Sequence, residues 1–498
     1  MRHDWALYRA EQLRALDALA IEQGRVEGSN LMEQAGLKAW QVLRARWPEV
    51  KRISVCCGGG NNGGDGWVIA RHALAAGLSV QAITVVDPDR LESSARQAYE
   101  AFAQHPNAEP AVLFDSTTPL TGEVVVDALL GTGLRGPATG LCAICIETIV
   151  GSLQPVLSVD VPSGLLADTG AALGPCVRAQ VTVGFVGQKR GLFTGEAARF
   201  CGRLVFDALG ADRLGAGAPA PDAALFDVAQ WDRSALKRPL DAHKGECGHV
   251  CVIGGAPGMA GAPVLSALGA LHAGAGKVTV LGSADTVTAA LAQSPALMAR
   301  DIFLNDQWQA TDLEADVVAI GPGLGPPSGP GVAGLMKAAL AFSGPVVVDA
   351  DGLNALAGQT TPARTSSWVL TPHPGEAARL LGVDTAAVQA DRFEAARALA
   401  RQHRAIVVLK GWGSLIATPE GTVWVCPRGA SAMATAGMGD VLTGVIASLL
   451  GQGMAAVEAA KCGVLIHALA GEVAALDQRQ ITADQLTSKL SQVMASKP

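Results

Sequence analysis

Two stretches near the start of the chain, residues 9–23 and 29–46, space their apolar residues three and four apart. That is the period of an amphipathic helix, and Ser29 or Asn30 is the expected N-cap of the second. Short apolar runs follow, separated by helical stretches. Ile53–Cys57, Val80–Val86, Val124–Asp127, Pro155–Asp160 and Val181–Phe185 read as strands, and helices are predicted over Trp67–Ala76, Ser93–Gln104 and CAICIETIV. Such alternation predicts a parallel sheet with helices on its faces. It breaks between Gly210 and Lys237, where GAGAPAPDAA is small and proline-rich. A linker over 218–236 is therefore expected, between a domain at 1–217 and another at 237–498. The alternation restarts at Val250–Ile253 and continues through Val278–Leu281, Val317–Ile320, Pro345–Val348 and Ile406–Lys410. It ends in helices at Gly439–Leu450 and Val457–Ala475. No 20–50-residue repeat is present, and the halves carry different motifs, so they do not read as a duplication.

Composition supports two α/β domains: 498 residues with 59 glycines suit many strand-to-helix turns. Aromatic residues make up only 4%, so the cores must be built from Ala, Val, Leu and Ile. A net charge of -7 argues against a broad nucleic-acid-binding face but leaves room for local cationic groups that take an anionic small molecule. No leader-like opening and no apolar run of ~18 residues is seen, so no membrane span is expected. The ten cysteines are scattered. Cys142 and Cys145 have CxxC spacing, but a zinc ribbon needs a second pair, and small buried thiols are the expected reading. Reduced thiols point to the cytoplasm.

In the first half, strand ISVCC runs into Gly58-Gly59-Gly60-Asn61-Asn62-Gly63-Gly64-Asp65-Gly66. Glycines between strand and helix let the backbone approach a phosphate, which the helix N-terminus favours electrostatically. A structural tight turn would explain the glycines alone. It would not explain three side-chain oxygens among them. Asp127 ends one strand before Leu130-Gly131-Thr132-Gly133-Leu134-Arg135-Gly136-Pro137, and Asp160 ends another before Val161-Pro162-Ser163-Gly164. Open α/β sheets bind ligands at such carboxyl ends, although a strand-end Asp can also simply cap the next helix. Lys189, after the next strand, reads equally as a phosphate or catalytic contact and as a solvated surface lysine.

GGGNNGGDGWVIAR, DALLGTGLRGP and SVDVPSGLLADTG together resemble the N-terminal domain of the bifunctional NAD(P)H-hydrate repair enzymes, over roughly residues 10–210. The resemblance implies a Rossmann-like three-layer domain that epimerises hydrated nicotinamide nucleotides. It implies substrate contacts at Asn61, Asn62, Gly63, Gly64, Asp65, at Gly131, Thr132, Gly133, Leu134, Arg135, Gly136, Pro137 and at Asp160, with Asp160 catalytic. It also implies a potassium ion held by Asn62, Asp127 and Ser163, a set of oxygen donors that suits a hard cation.

In the second half, strand HVCVIGG leads to Ala256–Pro263. Gly321-Pro322-Gly323-Leu324-Gly325, Val348–Asn354, Thr371-Pro372-His373-Pro374-Gly375-Glu376 and Val408–Ser414 follow later strands. Ala436-Gly437-Met438-Gly439-Asp440 opens a helix. Small residues there can turn successive N–H groups toward a transferring phosphoryl group, and an Asp just inside the turn can take the proton of an attacking hydroxyl. On its own the motif would read as a helix cap; with Lys410 and the two proline-glycine loops it reads as a catalytic site. His373, held between two prolines, is either a ligand contact or a turn-stabilising residue.

These motifs resemble the ribokinase superfamily and, taken together over roughly residues 225–495, the ADP-dependent NAD(P)H-hydrate dehydratases. The resemblance implies a ribokinase-like α/β domain in which ADP phosphorylates the C6 hydroxyl of the hydrate. Loss of phosphate then restores NAD(P)H, because phosphate leaves where hydroxide does not. It implies Asp440 as catalytic base. Substrate contacts fall at Ala262, Gly323, His373 and Asp440, and nucleotide contacts at Lys410, Gly411, Trp412, Gly413, Ser414 and Gly439, with Mg²⁺ on the phosphates. Two places depart from that family's pattern. Ala430-Ser431-Ala432-Met433-Ala434 replaces an Asn-Pro-Gly-Met-Ala run, and Trp412 replaces a small residue.

The expected partners are small molecules, hydrated NADH or NADPH and ADP, with no nucleic acid and no membrane, and the chain is expected to self-associate as a homo-oligomer. Two other readings remain open. One is a ribokinase-type small-molecule kinase with a regulatory N-terminal domain, which leaves VDVPSG and GTGLRGP without a task. The other is a nucleotide-binding scaffold, against which the intact Asp65, Asp127 and Asp160 speak.

Overall fold

Each residue of Ile53–Cys57 is buried because the strand is covered on both faces. Ile53, Val55 and Cys57 belong to one apolar cluster and Cys56 to another, as do Val124 and Val126 against Val125. Alternation across a pleated strand thus turns a continuous apolar run into two cores. The structure, a computed structural model, describes residues 5–23, 30–214, 217–302, 309, 313–329, 331–357 and 367–495. The chain divides into two compact units, Met1–Ala224 and Leu225–Pro498. The stretch expected to link two domains carries a short strand, Ala223–Leu225, and two 3₁₀ turns, Val228–Gln230 and Arg233–Leu236.

The strands of the first unit are β1 (Ala6–Tyr8), β2 (Arg52–Cys57), β3 (Ser79–Thr84), β4 (Val112–Leu113), β5 (Val124–Ala128), β6 (Val156–Val159), β7 (Val181–Phe185), β8 (Gln188–Lys189), β9 (Arg203–Asp207) and β10 (Ala223–Leu225). Seven of them form a parallel sheet in the order β4-β3-β2-β5-β6-β7-β9. This is a doubly wound sheet, and its order reverses between β2 and β5, where such sheets bind ligands. A small ribbon pairs β1 parallel with β8 and antiparallel with β10.

The helix predicted from Trp67 begins six residues earlier, at Asn61, and runs to Ala75. Apolar periodicity cannot register a helical turn made of Gly and Asn, and here that turn packs on backbone. An added Cβ at Gly63 would lie 1.9 Å from the Gly58 carbonyl oxygen, so only glycine lets the turn approach the end of β2. The two N-terminal helices are Ala10–Glu22 and Asn30–Arg46; Ser29, the expected cap, lies outside the described residues. Cys142 and Cys145 sit on the helix Gly140–Gly151, with Cys145 buried.

In the second unit the strands are β11 (His249–Ile253), β12 (Lys277–Gly282), β13 (Met298–Asp301), β14 (Val317–Ile320), β15 (Val346–Val348), β16 (Trp368–Leu370), β17 (Ile406–Leu409), β18 (Ser414–Ala417) and β19 (Val423–Cys426). Strands β13-β12-β11-β14-β15-β16-β17 are parallel in that order, and β18 and β19 continue antiparallel. The order reverses between β11 and β14. A large apolar core of this unit packs the helices Met438–Gly451 and Ala456–Ala474 onto the sheet. Both units are thus the α/β sandwiches that the strand–helix alternation predicts. Among the described residues no helix is long and apolar enough to cross a membrane.

Two candidate active sites

The first site forms where β2, β5, β6 and β7 end. A cavity of about 550 Å³ is walled by Asn61, Asn62, Asp65, Gly131–Leu134, Asp160 and Lys189, together with Asp17 from the first helix. Gly63, Gly64, Arg135, Gly136 and Pro137 are outside that wall. Asp127 is fully buried beneath it and accepts four hydrogen bonds: from Ser158 Oγ at 2.8 Å, Ser163 N at 2.9 Å, Ser163 Oγ at 2.5 Å and Leu129 N at 3.4 Å. Burial pushes its carboxyl above the usual range, and the serine donors oppose that. Asn62 presents a buried side-chain amide whose oxygen and nitrogen both have no partner. A buried, unpaired amide costs about 1–3 kcal/mol unless something occupies it. With the carboxylate and the serine hydroxyl, it offers oxygens of the kind a hard monovalent cation takes.

Asp160 stands at the end of β6 with φ 67°, a left-handed conformation that costs a non-glycine residue roughly 1–3 kcal/mol and recurs at functional sites. Val186, a β-branched residue, is held at φ 66° in the loop leading to Lys189. The two kinks bring a carboxylate and an ammonium together. Lys189 is buried, pairs with Asp160 and donates to the Phe185 carbonyl at 2.8 Å. The surface reading of Lys189 is therefore excluded.

The second site gathers at the carboxyl ends of β14 to β17 and the start of the helix Met438–Gly451. Asp349, after β15, is fully buried; its oxygens accept from Lys410 Nζ at 2.7 Å and from Thr443 Oγ1 at 2.7 Å. Lys410, after β17, also lies 3.8 Å from Glu376. Burial opposes its charge, but the carboxylates of Asp349 and Glu376 outweigh burial and hold it above the ordinary lysine value. Buried Arg392 fastens the Lys410 loop, donating to the Leu409 and Lys410 carbonyls at 3.2 Å each. A Cβ on Gly439 would stand 3.1 Å from Lys410 Nζ, so the small residue in the GMGD turn makes room for the ammonium. Asp440 follows at once. Burial, and then the negative charge of Asp349, push its carboxyl up to about 7, with Lys410 opposing. A general base is most effective with a pKa near the working pH.

His373 is the N-cap of the helix Pro374–Leu381: its Nδ1 accepts from Gly375 N at 3.0 Å and Glu376 N at 3.3 Å. Its Nε2 faces the Glu376 carboxylate at 3.4 Å, and the ring is half-exposed. Gly323 and Ala262 are neighbours, since a Cβ on Gly323 would meet the Ala262 methyl at 3.4 Å. A cavity of about 510 Å³ runs beside this loop, lined by Met259, Gly325, Pro326, Pro327, Asp351, Asn354 and Arg379. Gly411 and Gly413 take φ 138° and 62° around Trp412, which is 38% exposed. Ser414 Oγ closes the loop on the Gly411 carbonyl at 2.8 Å. The departing Ala430–Ala434 segment forms a 3₁₀ turn whose Met433 sulfur packs on Gly471.

Asp349, Glu376 and Thr443 carry no role in the motif reading, nor does Asp17. For Asp349 the signal was present, a strand-end Asp like Asp127 and Asp160.

Comparison with known proteins places these sites in context. Residues 28–191 match the family described as YjeF-related protein N-terminus, and residues 250–492 match the family described as NAD(P)H-hydrate dehydratase. A bifunctional NAD(P)H-hydrate repair enzyme of Coxiella burnetii is 42% identical over 469 residues, covering 94% of this chain and 95% of the relative. One from Escherichia coli is 38% identical over 467 residues, covering 93% and 89%. A solved ADP/ATP-dependent NAD(P)H-hydrate dehydratase from Bacillus subtilis, co-crystallized with ATP/Mg²⁺, is 32% identical, covers 52% of this chain and 94% of that chain, and has a TM-score of 0.48.

Proposed function

The chain belongs to the bifunctional NAD(P)H-hydrate repair enzymes, and from that premise we propose that its first site epimerises the C6-hydroxylated forms of NADH and NADPH while its second dehydrates one epimer at the expense of ADP. The observation that carries the second assignment is Asp440, a desolvated carboxylate at a helix start beside the Lys410–Asp349 pair. The substrate hydroxyl gives its proton to Asp440 as its oxygen takes the terminal phosphoryl group of ADP. The N–H groups of the Gly437–Gly439 turn face the developing charge. Loss of phosphate then yields the dihydropyridine. Lys410–Ser414 and Gly439 hold the nucleotide; Ala262, Gly323 and His373 hold the hydrate. Magnesium bound together with the nucleotide would supply neutralisation of the charge on its phosphates. Among the described residues no group of three or more His, Cys, Asp or Glu is placed to hold an ion by itself.

At the first site Asp160 is the acid–base residue, held by Lys189, and Asn61–Asp65 with Gly131–Pro137 form the substrate cradle. Potassium fits the oxygens of Asn62, Asp127 and Ser163, and the unpartnered Asn62 amide supports it. The ion would tie the start of the helix Asn61–Ala75 to the end of β5 and to the loop after β6. The protein is expected to melt higher in potassium than in tetramethylammonium, and Asn62→Leu should abolish that difference. An equal melting temperature in both salts for the parent protein would remove the ion from the site. Ten unpaired thiols favour the cytoplasm as its compartment. The exposed Leu141, Ile144 and Val150 of the helix Gly140–Gly151 favour self-association.

The deciding experiment mixes both epimers of hydrated NADPH with ADP and Mg²⁺. NADPH absorbance should rise until both epimers are gone, with AMP and phosphate released in equal amounts. A stable phosphorylated product would identify a kinase instead. Turnover with ATP and none with ADP would overturn the donor assignment.

A further inference from the structure

The cavity of the N-terminal unit holds three carboxylates and one buried ammonium, of which the mechanism above uses Asp160 and Lys189. We propose that Asp17 is a second catalytic residue there, the group that hands a proton to the departing C6 hydroxyl on the ring face opposite Asp160. The inference rests on the reading of this cavity as the epimerising site.

Asp17 lies on the helix Ala10–Glu22. Leu13, Leu16 and Ala20 of that helix are buried, and the leucines press on Gly187: a Cβ there would stand 2.7 Å from Leu13 and 3.3 Å from Leu16. Gly187 is two residues before Lys189, so the helix is seated on the loop that carries the ammonium. Arg14, Asp17 and Ile21 share one stripe at helical spacing and, with Leu13, wall the cavity. A carboxylate on a stripe flanked by Leu and Ile is desolvated. Burial raises Asp17 to about 6; Lys189 opposes the rise and Asp160 adds to it. Burial, then Asp160 and Asp17, raise Asp65 as well. The other charged group on the wall is Arg14. Asp212 and Arg213, on the turn that packs against the same helix, line a separate depression with Lys38 and Asp207. Asp17 and Asp65, both raised by burial and by neighbouring carboxylates, favour their protonated forms beside the one ammonium.

That is the condition epimerisation needs. C6 of the hydrate is bonded to both the ring nitrogen and the hydroxyl oxygen. The C–O bond breaks with its electron pair going to oxygen, while the nitrogen lone pair forms a C6=N bond. A proton from Asp17 makes the leaving group water rather than hydroxide. Water adds to C6 from the other face, the C=N electron pair returns to nitrogen, and Asp160 takes the proton of the incoming water. Exchange between the carboxylates through water restores the start, and the reverse direction exchanges their roles. Asp65 comes from the same sheet edge as Asp160, at the start of the helix Asn61–Ala75, whereas Asp17 is delivered by a helix outside the sheet.

The test follows interconversion of one purified epimer of hydrated NADPH by chromatography, with ADP omitted. Asp17→Asn should lower kcat about 10²–10⁴-fold with little change in KM. The parent kcat/KM should decline as rising pH strips Asp17 of its proton; that decline should vanish in Asp17→Asn and survive, displaced, in Asp17→Glu. If Asp17→Asn interconverts epimers at the parent rate while Asp160→Asn does not, Asp17 is no catalyst and the site reading stands. If both variants work at the parent rate, the site reading falls and the inference with it. Should Asp17→Asn fail to fold, the parent profile decides: a rate without an alkaline decline overturns the proposal.

Discussion

Asp440→Asn is expected to slow ADP-dependent dehydration by about 10²–10⁴, the usual effect of removing one general base. The substitution keeps shape and the helix start, because the structural bond of that residue is made by its backbone: Ser266 Oγ donates to the Asp440 carbonyl at 2.8 Å. What it removes is a carboxylate poised near 7. The parent enzyme carries the sign of that value. Below it the base is protonated and idle, so kcat/KM should rise roughly tenfold per pH unit toward 7 and level off above. The Asn variant should lack this limb and still interconvert epimers, whose chemistry belongs to the other unit. A chromatographic time course with both epimers present and ADP supplied would show equilibration without NADPH. Full dehydration by Asp440→Asn would remove the base from the mechanism.

How much of this was legible depended on whether a residue's role is local. Asp127, Asp160 and Lys410 end apolar runs, and an apolar run followed by Gly or Asp has one natural place in a doubly wound sheet: the ligand edge. Their positions followed from pattern. The start of the helix at Asn61 did not, because its first turn is Gly and Asn, and its reason is a backbone contact between Gly63 and Gly58. Asp349 was visible as a strand end, but its role was not. Its partners Lys410 and Thr443 are 61 and 94 residues away in the chain, and nothing in the run VVVDADGLN announces them. Asp17 was hidden more deeply, since one acid on an amphipathic helix looks solvated until the loop under Gly187 is known. Of the two readings of His373, the structure shows the turn-stabilising one: its Nδ1 caps a helix, and its Nε2 faces Glu376 at 3.4 Å.

Lys410→Met should cost more stability than any other single change at the second site. The ammonium is the counter-charge for Asp349 at 2.7 Å and stands 3.8 Å from Glu376, and Asp349 has no water to turn to. Breaking a buried pair by removing one partner typically costs about 3–5 kcal/mol. For a unit of this size, at roughly 2–4 °C per kcal/mol, the melting temperature should fall by on the order of 10 °C. The loss should depend on pH with a definite sign. Glu376 and Asp440 are already raised by burial, and without Lys410 both rise further. A carboxyl raised in the folded state binds protons there that the unfolded chain, near pKa 4, does not. Stability therefore falls as pH climbs from about 4 through the folded value. The variant's deficit should be larger at pH 8 than at pH 5.5. Asp349→Asn combined with Lys410→Met should recover part of it, as removal of both partners of a buried pair does. A single variant within about 1 kcal/mol of the parent at pH 8, the ordinary size of a surface pair, would mean that Lys410 does not hold this cluster of charge together.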